Sequence, residues 1–316
     1  MAQVKAAQTP LGLWQYFPDS GLNVLDTDIR GEHWRPLTVS LALTGLCYKG
    51  CPFCYASSTK AGTTQWRYAE LVDFITDLDR NGVFSVTLGG GEPTLWEDPQ
   101  AGKNFYDLIT TLDEQVALTL TFTTSGLPKL NAEQLPDRPL RLSCHYPGEA
   151  RTVIARAQTL RKTLSQIGIN LLLWRSQLDE CRQAIVQFLA AGFPDILLLT
   201  LLPAGFGVQF AAEALSEREV AAFIQSLGID SVRLTACQKP PQGLISTDMG
   251  CGANDWFVSI TEDKIVKACS FVDSGHPLAE PTYQALLAAT QNLPRLPCYR
   301  SYRTSPIAQI APNMPI

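Results

Sequence analysis

The sequence predicts an α/β protein, a partial (β/α)6 TIM-like barrel followed by a small C-terminal module. Three observations carry that prediction. Strand-like apolar stretches alternate with amphipathic helical stretches through residues 35–228. Clusters rich in glycine, cysteine or hydroxyl groups fall just after strand candidates, where parallel barrels carry their sites. Beyond residue 229 the alternation stops, and prolines and cysteines concentrate.

Taken in order, residues 1–34 hold prolines, glycine and scattered aromatics and read as a loop-like N-terminal extension. Leu37, Val39, Leu41 and Leu43 alternate with polar or small residues, the period of a strand. Tyr68, Leu71, Val72, Ile75 and Leu78 share a helical face that ends at Asn81-Gly82. A second strand, Phe84 to Leu88, runs into GGGEPT at 89–94, and a helix follows with Phe105, Leu108, Ile109 and Leu112 inward. Leu118, Leu120 and Phe122 mark a third strand ending in Thr123-Thr124-Ser125-Gly126. Leu140, Leu142 and Cys144 mark a fourth, with Val153 to Ile167 as its helix. Leu171 to Trp174 form a fifth, followed by a helix containing Ile185, Phe188 and Leu189. The sixth, Ile196 to Leu202, is almost continuously apolar, as parallel strands buried on both faces are. Ser216 and Glu219 form a capping box that opens one more helix, stopped by Gly228. Such a succession implies a parallel sheet with right-handed crossovers. The chain thus divides into 1–34, a barrel at 35–228 and a C-terminal module at 229–316.

Composition narrows the function classes. With 316 residues, 46% of them hydrophobic, the chain is expected to bury a large core. A net charge of −5 speaks against a nucleic-acid surface or an anionic membrane partner. No apolar run approaches the ~18 residues of a membrane span, and Met1 to Pro10 lack the apolar core of a signal peptide. Nine cysteines without an export signal point to a reducing cytoplasm and to metal ligation rather than disulfides.

The most informative feature is LCYKGCPFCY, where Cys47, Cys51 and Cys54 form a C-x3-C-x2-C cluster. Three thiolates this close can converge on one soft-metal centre. A structural zinc knuckle or three buried thiols is the competing reading. About forty residues on, GGGEPT brings Gly90 and Gly91, which admit close backbone approach, then the Glu92 carboxylate and the turn-stiffening Pro93. Taken together, the two motifs resemble the radical S-adenosylmethionine (SAM) superfamily. That resemblance implies a [4Fe–4S] cluster held by Cys47, Cys51 and Cys54, whose open iron binds SAM, and a GGE-type segment at the SAM amino group. It implies reductive cleavage of SAM to a 5′-deoxyadenosyl radical that abstracts hydrogen from a substrate, with the electron coming from a flavodoxin- or ferredoxin-like donor.

The same resemblance places Phe53 near the SAM adenine and Thr124 and Ser143 among the cofactor contacts, with Arg156 assisting. Alternation on the fourth strand puts Ser143 and His145 on one face, and His145 stands where relatives often carry aspartate. It is read as a substrate-binding or proton-moving group, or as a hydrogen-bonded structural one. A second cysteine set, Cys237, Cys251, Cys269 and Cys298, occupies the last quarter. The stretch from Cys251 to Cys269 has the form of a hairpin between two thiols and resembles the SPASM and twitch extensions, with Lys264 where those usually turn on glycine. An auxiliary [4Fe–4S] cluster is the implication, with Cys237 open as a fourth ligand; free core cysteines are the alternative. Enzymes with such extensions commonly mature peptides by crosslinking, epimerisation or oxidation. Dehydrogenation or rearrangement of a sugar or nucleotide is the second reading, and a non-enzymatic iron–sulfur or zinc protein the third.

Overall fold

The computed structural model describes residues 4–9, 12–17, 22–26, 36–127, 130–160, 166–228, 232–234, 253–254 and 256–293. Strands β1 (Lys5–Thr9), β2 (Gly12–Phe17) and β3 (Leu22–Asp26) form an antiparallel sheet in the order β1-β2-β3, so the N-terminal stretch is not the loop expected. Leu13, Gln15 and Val24 belong to its paired strands.

The main sheet follows. Its parallel part is β4 (Thr38–Thr44), β5 (Ser85–Gly90), β8 (Thr119–Thr124), β9 (Leu140–Cys144), β10 (Ile167–Leu173), β11 (Ile196–Thr200) and β12 (Val232–Leu234), paired in that order. Between β5 and β8 the short antiparallel pair β6 (Glu97–Asp98) and β7 (Lys103–Asn104) leads into α2 (Phe105–Gln115). The other helices are α1 (Tyr68–Arg80), α3 (Ala150–Thr159), α4 (Leu178–Ala190), α5 (Glu217–Leu227) and α6 (Tyr283–Gln291). Leu71, Phe74, Ile75 and Leu78 of α1, and Phe105, Leu108, Ile109 and Leu112 of α2, are buried as their spacing predicts. Ser216 Oγ accepts from the Glu219 N–H and Glu219 Oε2 accepts from the Ser216 N–H, the expected capping box, and Gly228 closes α5 in the left-handed region.

Two boundaries differ from expectation. Helix α3 stops at Thr159 rather than running to Ile167, and Ile167 opens β10 instead. The run Ile167-Gly168-Ile169-Asn170-Leu171 continues the apolar strand, and every residue of β10 is buried. Between β8 and β9 no helix occurs among the described residues, because prolines at 136 and 139 interrupt the segment. Arg138 ties this connection down by donating to the carbonyls of Leu118, Asp113 and Val116.

The strands' outward residues, such as Val39, Leu41, Leu142 and Cys144, join the helices in one core. Most of their inward positions are small or polar. Ser40, Thr87, Thr123, Ser143 and Asn170, one from each of five strands, line a shared cavity, with Leu172 and Leu199 as its apolar inward positions on β10 and β11. Branched aliphatics commonly fill this layer in closed barrels. Hydroxyl and amide groups here leave the interior open. At its lower end Arg141 pairs with Asp195 and donates to Asn170 Oδ1 and to the Ile169 carbonyl. Gly168, beside it on β10, makes room: a Cβ there would lie 2.3 Å from the Arg141 guanidinium.

After residue 253 the sheet continues. Strand β13 (Phe257–Ile260) pairs parallel with β4, and β14 (Ile265–Lys267) and β15 (His276–Pro277) add antiparallel strands beyond it. Two strands of the hairpin foreseen between Cys251 and Cys269 are therefore present, docked on the strand that delivers the cysteine loop, while Cys251 lies outside the described residues.

Candidate active site

Strand β4 ends at Thr44, and the cysteine loop follows. Backbone bonds hold it: the Cys47 N–H donates to the Thr59 carbonyl at 2.8 Å and the Glu92 N–H to the Leu46 carbonyl at 2.8 Å. The turn after β5 lies against this loop. Gly90 has φ of +108°, and a Cβ on Gly91 would stand 2.4 Å from the Leu46 carbonyl oxygen. Only glycine permits this approach, which sets Gly90, Gly91 and Glu92 beside the thiols. Cys47, Cys51 and Cys54 are free, half-buried and line one cavity of about 320 Å3 with those residues. Burial raises the thiol pKa of Cys47, and that of Cys51 to about 11, where the Lys49 ammonium opposes the rise.

The donor set suits an iron–sulfur cluster. Thiolates are its ligands, and a cluster distributes them over separate irons. Among the described residues no three cysteine, histidine or carboxylate side chains close on a point the size of one metal ion. The three thiols share one cavity wall.

Glu92 is buried, and four protein donors use its carboxylate. Oε1 accepts from Thr94 Oγ1 (2.8 Å) and Thr124 Oγ1 (2.6 Å), and Oε2 from the Ser125 N–H (2.9 Å) and Ser125 Oγ (2.7 Å). These bonds clamp the turn after β5 to the turn after β8. Thr124 also accepts from the Gly126 N–H, which completes the tie.

Across the cavity stand Ser143 and His145 at the end of β9. The His145 Nδ1 atom is buried and has no hydrogen-bond partner among the described residues. Burial, reinforced by the Lys49 charge, lowers its imidazole pKa to about 4, so the ring is neutral at physiological pH. Phe53, from the cysteine loop, meets Trp174 edge-on at 4.7 Å and Tyr146 at 5.3 Å, while Trp174 donates its indole N–H to the His145 carbonyl. Leu172, Leu199 and Leu201 extend this apolar wall.

Two expected residues stand outside. Pro93 is buried at the start of a 3-10 turn, and Arg156 lies behind the β8 loop, donating to the Ser125 carbonyl at 3.0 Å. Arg156 fails to reach the cavity because α3 places it against Gly126 on the outer side of that loop. Of the second cysteine set, Cys269 is half-buried at the end of the β14 segment, while Cys237, Cys251 and Cys298 lie outside the described residues. Phe271, two residues beyond Cys269, packs on Tyr55 with ring centroids 4.8 Å apart, and both line the cavity.

Sequence reasoning passed over Lys49, Ser125, Asn170 and Phe271. Lys49 was visible as the cation inside the cysteine triplet, and Asn170 as the polar residue in an apolar strand. Phe271 had no local signal.

No family model matches the chain. Mycofactocin maturase MftC of Mycobacterium ulcerans (strain Agy99) is 32% identical over 100 residues, 31% of this chain and 24% of that protein. Its counterpart in Mycolicibacterium smegmatis (strain ATCC 700084 / mc(2)155) is 36% identical over 74 residues, 23% of this chain and 17% of that protein. The match thus spans about a quarter, or less, of the length of these curated relatives. Among solved structures, Streptococcus suis SuiB bound to S-adenosylmethionine matches with a TM-score of 0.65 at 10% identity, covering 96% of this chain and 90% of that one. Native anSMEcpe with bound AdoMet matches with a TM-score of 0.57 at 14% identity, covering 84% of this chain and 83% of that one. At these identities the likeness is one of fold. The chain shares the fold of these S-adenosylmethionine-bound structures.

Proposed function

We propose that this chain is a radical SAM enzyme that modifies a peptide. The observation that carries the reading is the cavity itself. Three free thiols, a glycine turn and the Glu92 carboxylate meet at the C-terminal ends of parallel strands, above an interior lined by small polar groups. In this reading Cys47, Cys51 and Cys54 hold a [4Fe–4S] cluster, which supplies reductive cleavage of SAM when bound. Gly90, Gly91, Glu92, Thr124 and Ser143 form the polar wall facing SAM, with Glu92 bringing negative charge to its ammonium group. Phe53 and its aromatic neighbours offer a surface for the adenine. Neutral His145 holds or accepts a proton at Nδ1 on the substrate side, where Leu199 and Leu201 exclude water.

Peptide substrates are supported by the kinship with mycofactocin maturase and by the fold shared with SuiB, which has been captured bound to precursor peptide SuiA. We place the cofactor-binding barrel at 35–228 and an auxiliary cluster at 229–316, held by Cys251, Cys269 and Cys298 with or without Cys237. A one-electron donor of the flavodoxin or ferredoxin kind completes the set of partners. No helix among the described residues is long and apolar enough to cross a membrane. The test is anaerobic reconstitution of the wild type and of the Cys47/Cys51/Cys54→Ala triple variant. About eight irons falling to about four is the expected result for two [4Fe–4S] clusters, together with reductant-dependent formation of 5′-deoxyadenosine in the wild type alone. Wild-type protein that takes up iron but never cleaves SAM would overturn the assignment.

A further inference from the structure

Lys49 lies inside the cysteine triplet, two residues from both Cys47 and Cys51, and lines the same cavity. Its side chain is only 9% exposed, and its ammonium makes a two-pronged ion pair with Glu149, at 3.0 Å to Oε1 and 2.8 Å to Oε2. Glu149 belongs to the 3-10 turn Pro147–Glu149 after β9, is 34% exposed, and is not among the cavity-lining residues. The pair is therefore oriented, with its positive end at the thiols and its negative end toward solvent. The two charges do not cancel at the thiol wall, because the nearer one dominates in a poorly screened interior.

We propose that the Lys49–Glu149 pair sets the reduction potential of the cluster held by Cys47, Cys51 and Cys54, with Lys49 favouring the reduced state and Glu149 moderating it. This rests on the cluster reading given above. Each electron added to the cluster adds one negative charge, and the potential of such a centre follows the net charge around it and its exposure to solvent. A fixed cation at the wall stabilises the more negative state. Removing the cation lowers the potential, and removing its counter-anion raises it. The pair also ties the cysteine loop to the turn after β9, so Lys49 is a positioning residue as well. A purely mechanical tie makes a different prediction: cutting either end loosens the same contact and moves the potential the same way.

The experiment is a potentiometric titration of anaerobically reconstituted, full-length protein without SAM, followed by electron paramagnetic resonance of the reduced cluster. Wild type is compared with Lys49→Met and Glu149→Gln. At the wild-type midpoint potential, the ratio of reduced to oxidised cluster is expected to fall about tenfold in Lys49→Met. It is expected to rise in Glu149→Gln. Tenfold corresponds to 59 mV for one electron. Shifts of the same sign, or shifts below threefold in both, overturn the proposal. Should Lys49→Met fail to load iron, Glu149→Gln decides alone, and an unchanged or lowered potential there refutes it. A wild-type protein that takes up no iron overturns the cluster reading itself and this inference with it. Loaded clusters without opposed shifts overturn this inference only.

Discussion

Replacing Glu92 by glutamine tests whether one buried carboxylate holds the two strand-end turns together. The charge is lost while the shape is almost kept. The amide oxygen can still accept at one pair of donors, but the amide nitrogen faces the other pair as a donor. Turned toward Ser125 it would oppose a backbone N–H that cannot reverse. Turned toward Thr94 and Thr124 it meets hydroxyls that can rotate, although Thr124 Oγ1 already accepts from the Gly126 N–H. The second orientation is therefore the cheaper one. It leaves the two bonds to Ser125 as neutral contacts, each weaker by about 1 kcal/mol, and costs about 1 kcal/mol more at the threonines. The sum is about 3 kcal/mol. At roughly 2 cal/mol/K of unfolding entropy per residue over 316 residues, that lowers Tm by about 4–5 °C. Thermal unfolding of the full chain, followed by circular dichroism, reads the shift directly. Two companions grade it: Thr124→Val should cost more than Thr94→Val, because Thr124 alone also serves Gly126. A Glu92→Gln protein melting within about 1 °C of wild type, or a reversed order of the threonines, refutes the clamp.

Two further outcomes follow from the same geometry. Gly91→Ala places a Cβ 2.4 Å from the Leu46 carbonyl, so the turn must move away from the cysteine loop; iron uptake on reconstitution should fall severalfold, and normal uptake would show that the approach is not needed. His145 has a pKa near 4 against 6.5 for the free side chain, so the unfolded chain binds its proton first as pH falls. Its contribution makes stability decline from pH 6.5 to about 4 and level off below, at up to about 1.4 kcal/mol per pH unit. Urea unfolding across that window should show a shallower decline for His145→Phe; equal slopes would place the imidazole in contact with water.

The barrel was legible because its elements carry strong local patterns. Leu71, Ile75 and Leu78 repeat at helical spacing, Val39 and Leu41 alternate, and the folded chain buries all of them. The site was legible for a related reason: the cysteine triplet and the glycine–glutamate turn are contiguous in sequence, and each sits at a strand end. Residues that act through long-range pairing left weaker traces. Arg156 matched a spacing, yet the rotation of α3 turns it behind the β8 loop. The N-terminal strands escaped because they are only five or six residues long, too short to show a clear period between the prolines and glycines of that stretch. The limit of helix α3 was missed because Ile167 fits a helical spacing as well as a strand, and only the parallel pairing of Ile167 with Leu140 decides.

Lys264 shows how a departure from an expected motif is absorbed by tertiary structure. The hairpin between β13 and β14 turns on a residue with φ of +63°, the left-handed region that glycine enters freely and a lysine enters at about 1–2 kcal/mol. Its side chain offsets that cost. The ammonium pairs with Glu70 of α1 at 2.5 Å and lies 5.2 Å from the centre of the buried Trp66 ring. A half-buried ion pair and a cation–π contact together are worth about the same amount. The exchange is not neutral for architecture, because glycine would close the turn without reaching α1. With lysine, the hairpin is fastened both through β13 on β4 and through Lys264 on the helix that follows the cysteine loop. The segment leading to Cys269 and Phe271 is thereby fixed at two points against the elements that carry Cys47, Cys51 and Cys54, which is why Phe271 reaches Tyr55 at the cavity wall.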